Sequence, residues 1–207
     1  TASDVDDVSG LSFSIRGGSG SGTLTKAGFY GTLTLNASTG AWSFNPTNFT
    51  AINALAQGAS VTEAFEFKAI DAHGSASTQN LVITLTGTND VPLLASAIAD
   101  QSFSGGGTWT YQIPAASFTD AEGTGLTYTA TLADDSPLPG WLSFVEGTRT
   151  FSGNPPANWA DAPLSIKVTA TDGSNASVSD TFTLTLSNTA NQPPVVASPL
   201  TWHAVNA

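Results

Sequence analysis

The chain contains no cysteine and no methionine among its 207 residues, and only five basic side chains. Without cysteine it cannot staple itself with disulfides, and thiol oxidation cannot damage it. An extracellular module built this way must find stability elsewhere, and bound metal is one route. The five bases (Arg16, Lys26, Lys68, Arg149, Lys167) face sixteen acids, which leaves a net charge of −11. Such a surface repels phosphate and argues against nucleic acid as a partner. No apolar run approaches the roughly 18 residues of a membrane span, so none is expected. Histidine is scarce too: His73 lies in a turn and His203 near the end, neither with a serine or metal constellation around it. Asp134 and Asp135 could mimic a catalytic carboxylate pair, but neighbours in a strand point oppositely, so they read as a turn before Pro137. The glycine-rich stretch Gly17–Gly22 has no following lysine or helix, which excludes a phosphate loop and leaves a flexible hairpin. The chain therefore reads as non-catalytic. No signal peptide is visible, and Thr1 is an unlikely native start, so the expectation is a piece of a longer protein.

What is present points to strands. Only 10% of residues are charged, and Ser, Thr, Gly and Asn carry much of the polarity, a strand-and-turn composition. The length suits one large or two ordinary domains. Leu11, Phe13 and Ile15 alternate with serines; Trp109, Tyr111 and Ile113 alternate with Thr110 and Gln112; Phe182, Leu184 and Leu186 alternate with threonines. Period-two alternation of this kind marks half-buried strands. The single helical candidate is Thr50–Gln57, closed by Gly58. Two segments recur in order. Phe67-Lys-Ala-Ile-Asp71 leads to Leu81-Val-Ile-Thr-Leu85 and Pro92; Val168-Thr-Ala-Thr-Asp172 leads to Phe182-Thr-Leu-Thr-Leu186 and Pro193, with the same Asp-to-Pro spacing. Asp4-Val-Asp6 before Gly10-Leu-Ser-Phe-Ser14 likewise matches Asp120-Ala-Glu122 before Gly125-Leu-Thr-Tyr-Thr129. Two matched segments in one order mean two copies of one module. The predicted fold is all-β, two tandem Greek-key sandwiches of seven-strand type. The modules run 1–92 and 93–193, and Pro92 stiffens the boundary at Gly87–Pro92.

Polar ligand candidates gather at that boundary. Asn89 and Asp90 lie in the linker, Asp120 and Glu122 follow the opening region of module two, and Asp172 ends a late strand. Strand ends of a sandwich cluster at its tips, so these groups are expected to converge. Crowded carboxylates repel unless a cation sits between them. Oxygen ligands without His or Cys suit calcium. The alternative is that each Asp caps a turn. Asp4, Asp6 and Asp71 form the equivalent, less complete set in module one, with Asp7 as a substitute. Trp42 and Trp141 read as core. Trp159, in the loop Asn154-Pro-Pro-Ala-Asn-Trp-Ala-Asp161, reads as a sugar or peptide contact.

These residues carry resemblances. Asp4-Val-Asp6, Tyr30-Gly-Thr-Leu-Thr-Leu35, Gly40-Ala-Trp-Ser-Phe44, Ala54-Leu-Ala-Gln-Gly58 and Thr86-Gly-Thr-Asn-Asp90-Val-Pro92 resemble the VCBS-type repeat of bacterial RTX-type giant adhesins. Phe118-Thr-Asp-Ala-Glu122-Gly, Leu138-Pro-Gly-Trp-Leu-Ser-Phe144, Thr150-Phe-Ser-Gly153-Asn-Pro155 and Ser179-Asp-Thr-Phe182 resemble the dystroglycan-type cadherin-like module, a class of Ig-like domain. The resemblance implies cadherin/Ig-like sandwiches at the bacterial surface, with Ca2+ held by Asn89, Asp90, Asp120, Glu122 and Asp172. Its implied role is a calcium-rigidified segment of a secreted adhesin. The expected partners are neighbouring modules and a cell-surface glycan or protein. The alternative is a calcium-dependent carbohydrate- or peptide-binding module appended to a polysaccharide-degrading enzyme. A last expectation concerns the tail: Pro194-Val-Val-Ala-Ser198-Pro-Leu200 resembles Pro92-Leu-Leu-Ala-Ser96-Ala-Ile98, the opening of module two. Module one has no such opening, so residues 194–207 are expected to open a further module or to pair with the vacant edge of module one.

Overall fold

The computed structural model describes residues 10–104, 106–123, 125–156 and 163–187. The chain forms two compact units. The first comprises residues up to Pro92 together with Thr119–Gly125 and Asp172–Ala176; the second comprises Leu93–Phe118, Leu126–Thr171 and the residues from Ser177 onward.

In the first unit, strands β1 (Ser12–Ile15), β2 (Thr23–Ala27), β3 (Gly31–Asn36) and β4 (Trp42–Pro46) precede a one-turn helix α1 (Phe49–Asn53). Two long strands follow, β5 (Ser60–Ile70) and β6 (Ala76–Thr86). They build two antiparallel sheets, ordered β1-β5-β6 and β2-β3-β4. Alternation decides the faces: Leu33 and Leu35 are fully buried while Thr32 and Thr34 are not. Ile15, Leu33, Leu35 and Phe65 form the buried core, with Phe13, Phe44, Phe67 and Leu81 packed against it. Helix α1 starts where the Asn48 side chain accepts from Ala51 N at 3.2 Å. It is shorter than the predicted Thr50–Gln57, because Ala54 N and Leu55 N bond back to Thr50 and Ile52 and tighten the chain into a turn.

The second unit holds β7 (Leu93–Leu94), β8 (Gln101–Ser104), β9 (Trp109–Gln112), β10 (Phe118–Thr119) and β11 (Thr127–Leu132). It continues with β12 (Leu142–Val145), β13 (Thr150–Gly153), β14 (Leu164–Thr171) and β15 (Ser177–Ser187). Its main sheets are β11-β14-β15-β8 and β12-β13-β9, a seven-strand arrangement, and β7 pairs with β10. Strand β8 runs parallel to β15; the other pairings of these two main sheets, among the described residues, are antiparallel. Phe151 and Phe182 are buried between the sheets with ring centroids 5.6 Å apart, and Trp109 lies 6.2 Å from Phe151. The all-β expectation holds throughout.

One core assignment does not. Trp141 packs against the second core, but Trp42 stands 49% exposed. Trp42 opposes the fully buried Leu35 in register, so its face is the inward one. Among the described residues, no strand flanks β6 on the side away from β5.

Candidate functional site

The site grows from a turn used twice. Asp71 follows β5 and accepts from His73 N and Ser75 N, both at 2.8 Å on Oδ1. Asp172 follows β14 and accepts on Oδ1 from Ser174 N at 2.8 Å and Ala176 N at 2.9 Å. Each turn has a left-handed residue, Gly74 (φ 88°) and Asn175 (φ 70°). Both acids therefore cap turns.

Asp172 does more. Its Oδ2 accepts from Asn89 Nδ2 at 2.9 Å, and the residue is only 5% exposed. The Asn89 hydrogen bond leads the effects that hold the Asp172 carboxyl below its ordinary range; burial opposes it, and the Ala176 and Ser174 N–H groups add to it. At Asp71 burial acts upward, but the Ser75 and His73 N–H groups, the Ser75 hydroxyl and the His73 charge outweigh it. The other linker residue is tied as well: Asp90 N donates to Glu122 Oε1 at 2.6 Å. The second Glu122 oxygen, Oε2, is buried without a hydrogen-bond partner. Ser174 Oγ donates to Gln57 at 2.8 Å. Asn89, Asp90, Asp120, Glu122 and Asp172 thus lie in one compact unit, with the 87–92 segment bonded to the 119–125 and 172–176 loops.

Among the described residues, no three His, Cys, Asp or Glu side chains are grouped closely enough to hold a metal ion. The donors nonetheless fit a hard cation by type: all are oxygens, and one is a buried carboxylate oxygen lacking a donor. Asp71 has the turn of its counterpart, but among the described residues it has no bond like that from Asn89. Asp4, Asp6, Asp7 and Trp159 lie outside the described residues.

Three further carboxylates escaped the sequence reading. Glu63 of β5 accepts from the N–H groups of Phe29 and Tyr30, beside Gly28, where a Cβ would collide with it. Asp180 accepts from Ile98 N and Asp100 from Thr183 N, each at 2.7 Å. Glu63 and Asp180 share the strand parity of the buried Phe65 and Phe182, so an acid at an inward position is their signal in the sequence, whereas Asp100 precedes β8 and has no such mark.

Residues 91–187 match the model of the family described as "Putative Ig domain". No curated protein matches the sequence. Among solved structures, the human CDH23 EC21-23 fragment aligns over 86% of this chain and 58% of its own, with 18% identity and a TM-score of 0.53. Protocadherin Gamma B2 extracellular cadherin domains 1-5 align over 87% and 34%, with 13% identity and a TM-score of 0.53. The chain spans less than two thirds of either structure. At these identities the likeness establishes the fold, a tandem cadherin-like β-sandwich.

Proposed function

We propose, with the Ig- and cadherin-like architecture as premise, that the chain is a non-catalytic extracellular module pair from a bacterial surface adhesin, stiffened by calcium. The adhesin part rests on the resemblance of residues 1–92 to VCBS-type repeats and on the acidic, cysteine-free composition. The calcium part rests chiefly on one observation: Glu122 Oε2 is buried with no hydrogen-bond partner, next to a linker that carries Asp90. A buried carboxylate oxygen without a donor is costly unless a cation meets it.

The residues that would hold the ion are Asn89, Asp90, Asp120, Glu122 and Asp172. Asn89 already uses its amide nitrogen on Asp172 and the Asp90 carbonyl, which leaves its oxygen for a ligand. Calcium would supply positive charge among the acids of the linker and the two loops, draw them closer together, and so hold the 87–92 segment against the loops. Magnesium would serve poorly, because it demands a smaller and stricter octahedron.

The test is a thermal melt with and without calcium. Extracellular modules bind calcium at about 10⁻⁴–10⁻³ M. At a hundredfold excess over such a constant, one site adds about 2.7 kcal/mol. The melting temperature should rise in calcium and fall on chelation, and magnesium should not restore it. Glu122→Gln and Asp120→Ala should each remove most of the calcium response while the circular dichroism spectrum stays that of a β protein. Identical melts in millimolar calcium and in excess chelator would reduce the five residues to turn caps and linker ties.

A further inference from the structure

The two units carry the same hairpin in the same register, and one has a strand where the other has a cleft. In β5–β6, Phe67 faces Gln79; in β14–β15, Val168 faces Asp180, and both hairpins turn on the aspartate already described. Gln79 therefore corresponds to Asp180, Leu81 to Phe182, and Ile83–Thr86 to Leu184–Ser187.

In the second unit the outer edge of β15 is covered. Strand β8 runs parallel to it, with Leu184 opposite Gln101 and Ser187 opposite Ser104. Just upstream, Ile98 is 5% exposed and its N–H donates to Asp180 Oδ2 at 2.7 Å. Thr183 N donates to Asp100 Oδ1 at 2.7 Å. This single segment closes the sandwich: Ile98 enters the core and Phe103 packs against it.

In the first unit the corresponding edge, Ile83–Thr86, has no strand beside it among the described residues. A cleft of about 1190 Å³ lies just upstream of that edge, beside the part of β6 that corresponds to Asp180, and is walled by Phe13, Trp42, Phe67, Gln79, Asn80 and Leu81. Trp42 is 49% exposed and the edge residue Val82 is 54% exposed. An uncovered edge next to a cleft with aromatic side chains in its wall is a template for strand addition.

The chain contains a second copy of the covering segment. Pro194-Val-Val-Ala-Ser198-Pro-Leu200 repeats Pro92-Leu-Leu-Ala-Ser96-Ala-Ile98, which sets Leu200 at the place of Ile98 and Val205 at that of Phe103. Gln79, standing where the second unit has Asp180, keeps an amide oxygen able to accept the N–H of Leu200. We propose that the open edge of β6 takes residues 194–206 of a second copy as a parallel strand, with His203–Asn206 opposite Ile83–Thr86 and Leu200 in the cleft. Donor and acceptor surfaces differ, so the contact is head-to-tail and extends from copy to copy.

Sedimentation velocity on the full chain, run in excess chelator, keeps this test separate from the calcium reading. The wild-type chain should associate with rising concentration. A Leu200→Asp, Val205→Asp variant should need at least about tenfold more protein for the same association, since two buried apolar side chains are lost. A synthetic peptide of residues 192–206 should dissolve the association and slow hydrogen exchange at the Ile83–Thr86 amides. The double variant should keep the β spectrum of the wild type. Three outcomes would overturn the proposal: a chain that stays monomeric at all concentrations, a double variant that associates like wild type, or Ile83–Thr86 amides equally protected in wild type and double variant. The last would mean that another segment covers the edge.

Discussion

At the scale of single residues, the described acids act mostly as acceptors for backbone N–H groups. Asp134 is the simplest case. Asp134-Asp135 forms a turn, closed by Leu132 N bonding to Ser136 O at 2.9 Å, with Asp135 left-handed at φ 70° and paired with Lys167. Asp134 Oδ1 accepts from Ser136 Oγ at 2.6 Å and Ser136 N at 3.1 Å. The Ser136 hydroxyl is the leading cause of a carboxyl held below its ordinary value; the Ser136 N–H helps, desolvation opposes, and the Lys167 charge adds a little. A depressed carboxyl stabilises the fold above its unfolded pKa, and that contribution is lost as pH falls through the folded value. Ser136→Ala should therefore move the Asp134 titration, followed by NMR, upward toward the ordinary carboxylate range. The variant should be less stable than wild type at neutral pH, and the two should converge in acid. An unmoved Asp134 titration would show that the hydroxyl is not the cause.

At the scale of elements, each sandwich depends on places where backbone passes close to backbone. Gly153 ends β13 and faces Leu142 and Trp109 in register. A Cβ there would stand 2.6 Å from Trp141 O and 2.9 Å from the Trp141 ring. Alanine at this position must push Trp141 and β12 away from the core, an overpacking that costs about 1–3 kcal/mol. Urea unfolding of Gly153→Ala should show that loss with an unchanged denaturant slope. Wild-type stability would mean that β12 shifts freely. The duplicated hairpin makes the complementary point. The turns at Asp71 and Asp172 have the same hydrogen bonds although their loops read Ala-His-Gly-Ser and Gly-Ser-Asn-Ala. The aspartate and a left-handed third loop position suffice.

At the scale of the whole molecule, two cores imply two transitions. Leu33 is fully buried in the first core and Phe151 in the second. Leu33→Ala should cost about 2–5 kcal/mol and Phe151→Ala about 3–5 kcal/mol. In calorimetry each should lower one transition and leave the other in place. The first unit should be the lower-melting one: among the described residues its core has four buried hydrophobic side chains, against fourteen in the second. One transition lowered alike by both substitutions would mean a single cooperative body.

Local pattern was enough for much of this. Alternating apolar and polar residues gave strands and the faces of β1, β9 and β15, because side-chain direction in a strand depends only on position. The repeat gave the paired hairpins, since turn chemistry lies within five consecutive residues. That Asn89 and Asp90 meet the loops carrying Glu122 and Asp172 was legible because strand ends meet at the tip of a sandwich. The bonds that join them, Asn89 to Asp172 and Asp90 to Glu122, span 83 and 32 positions, and no local rule assigns such partners. Trp42 marks the same limit. Alternation places it correctly on the inward face, but whether an inward face is covered depends on a strand from elsewhere in the chain or from another copy. Periodicity is a property of one strand, whereas burial is a property of its neighbours, and only the tertiary structure decides which neighbours are there.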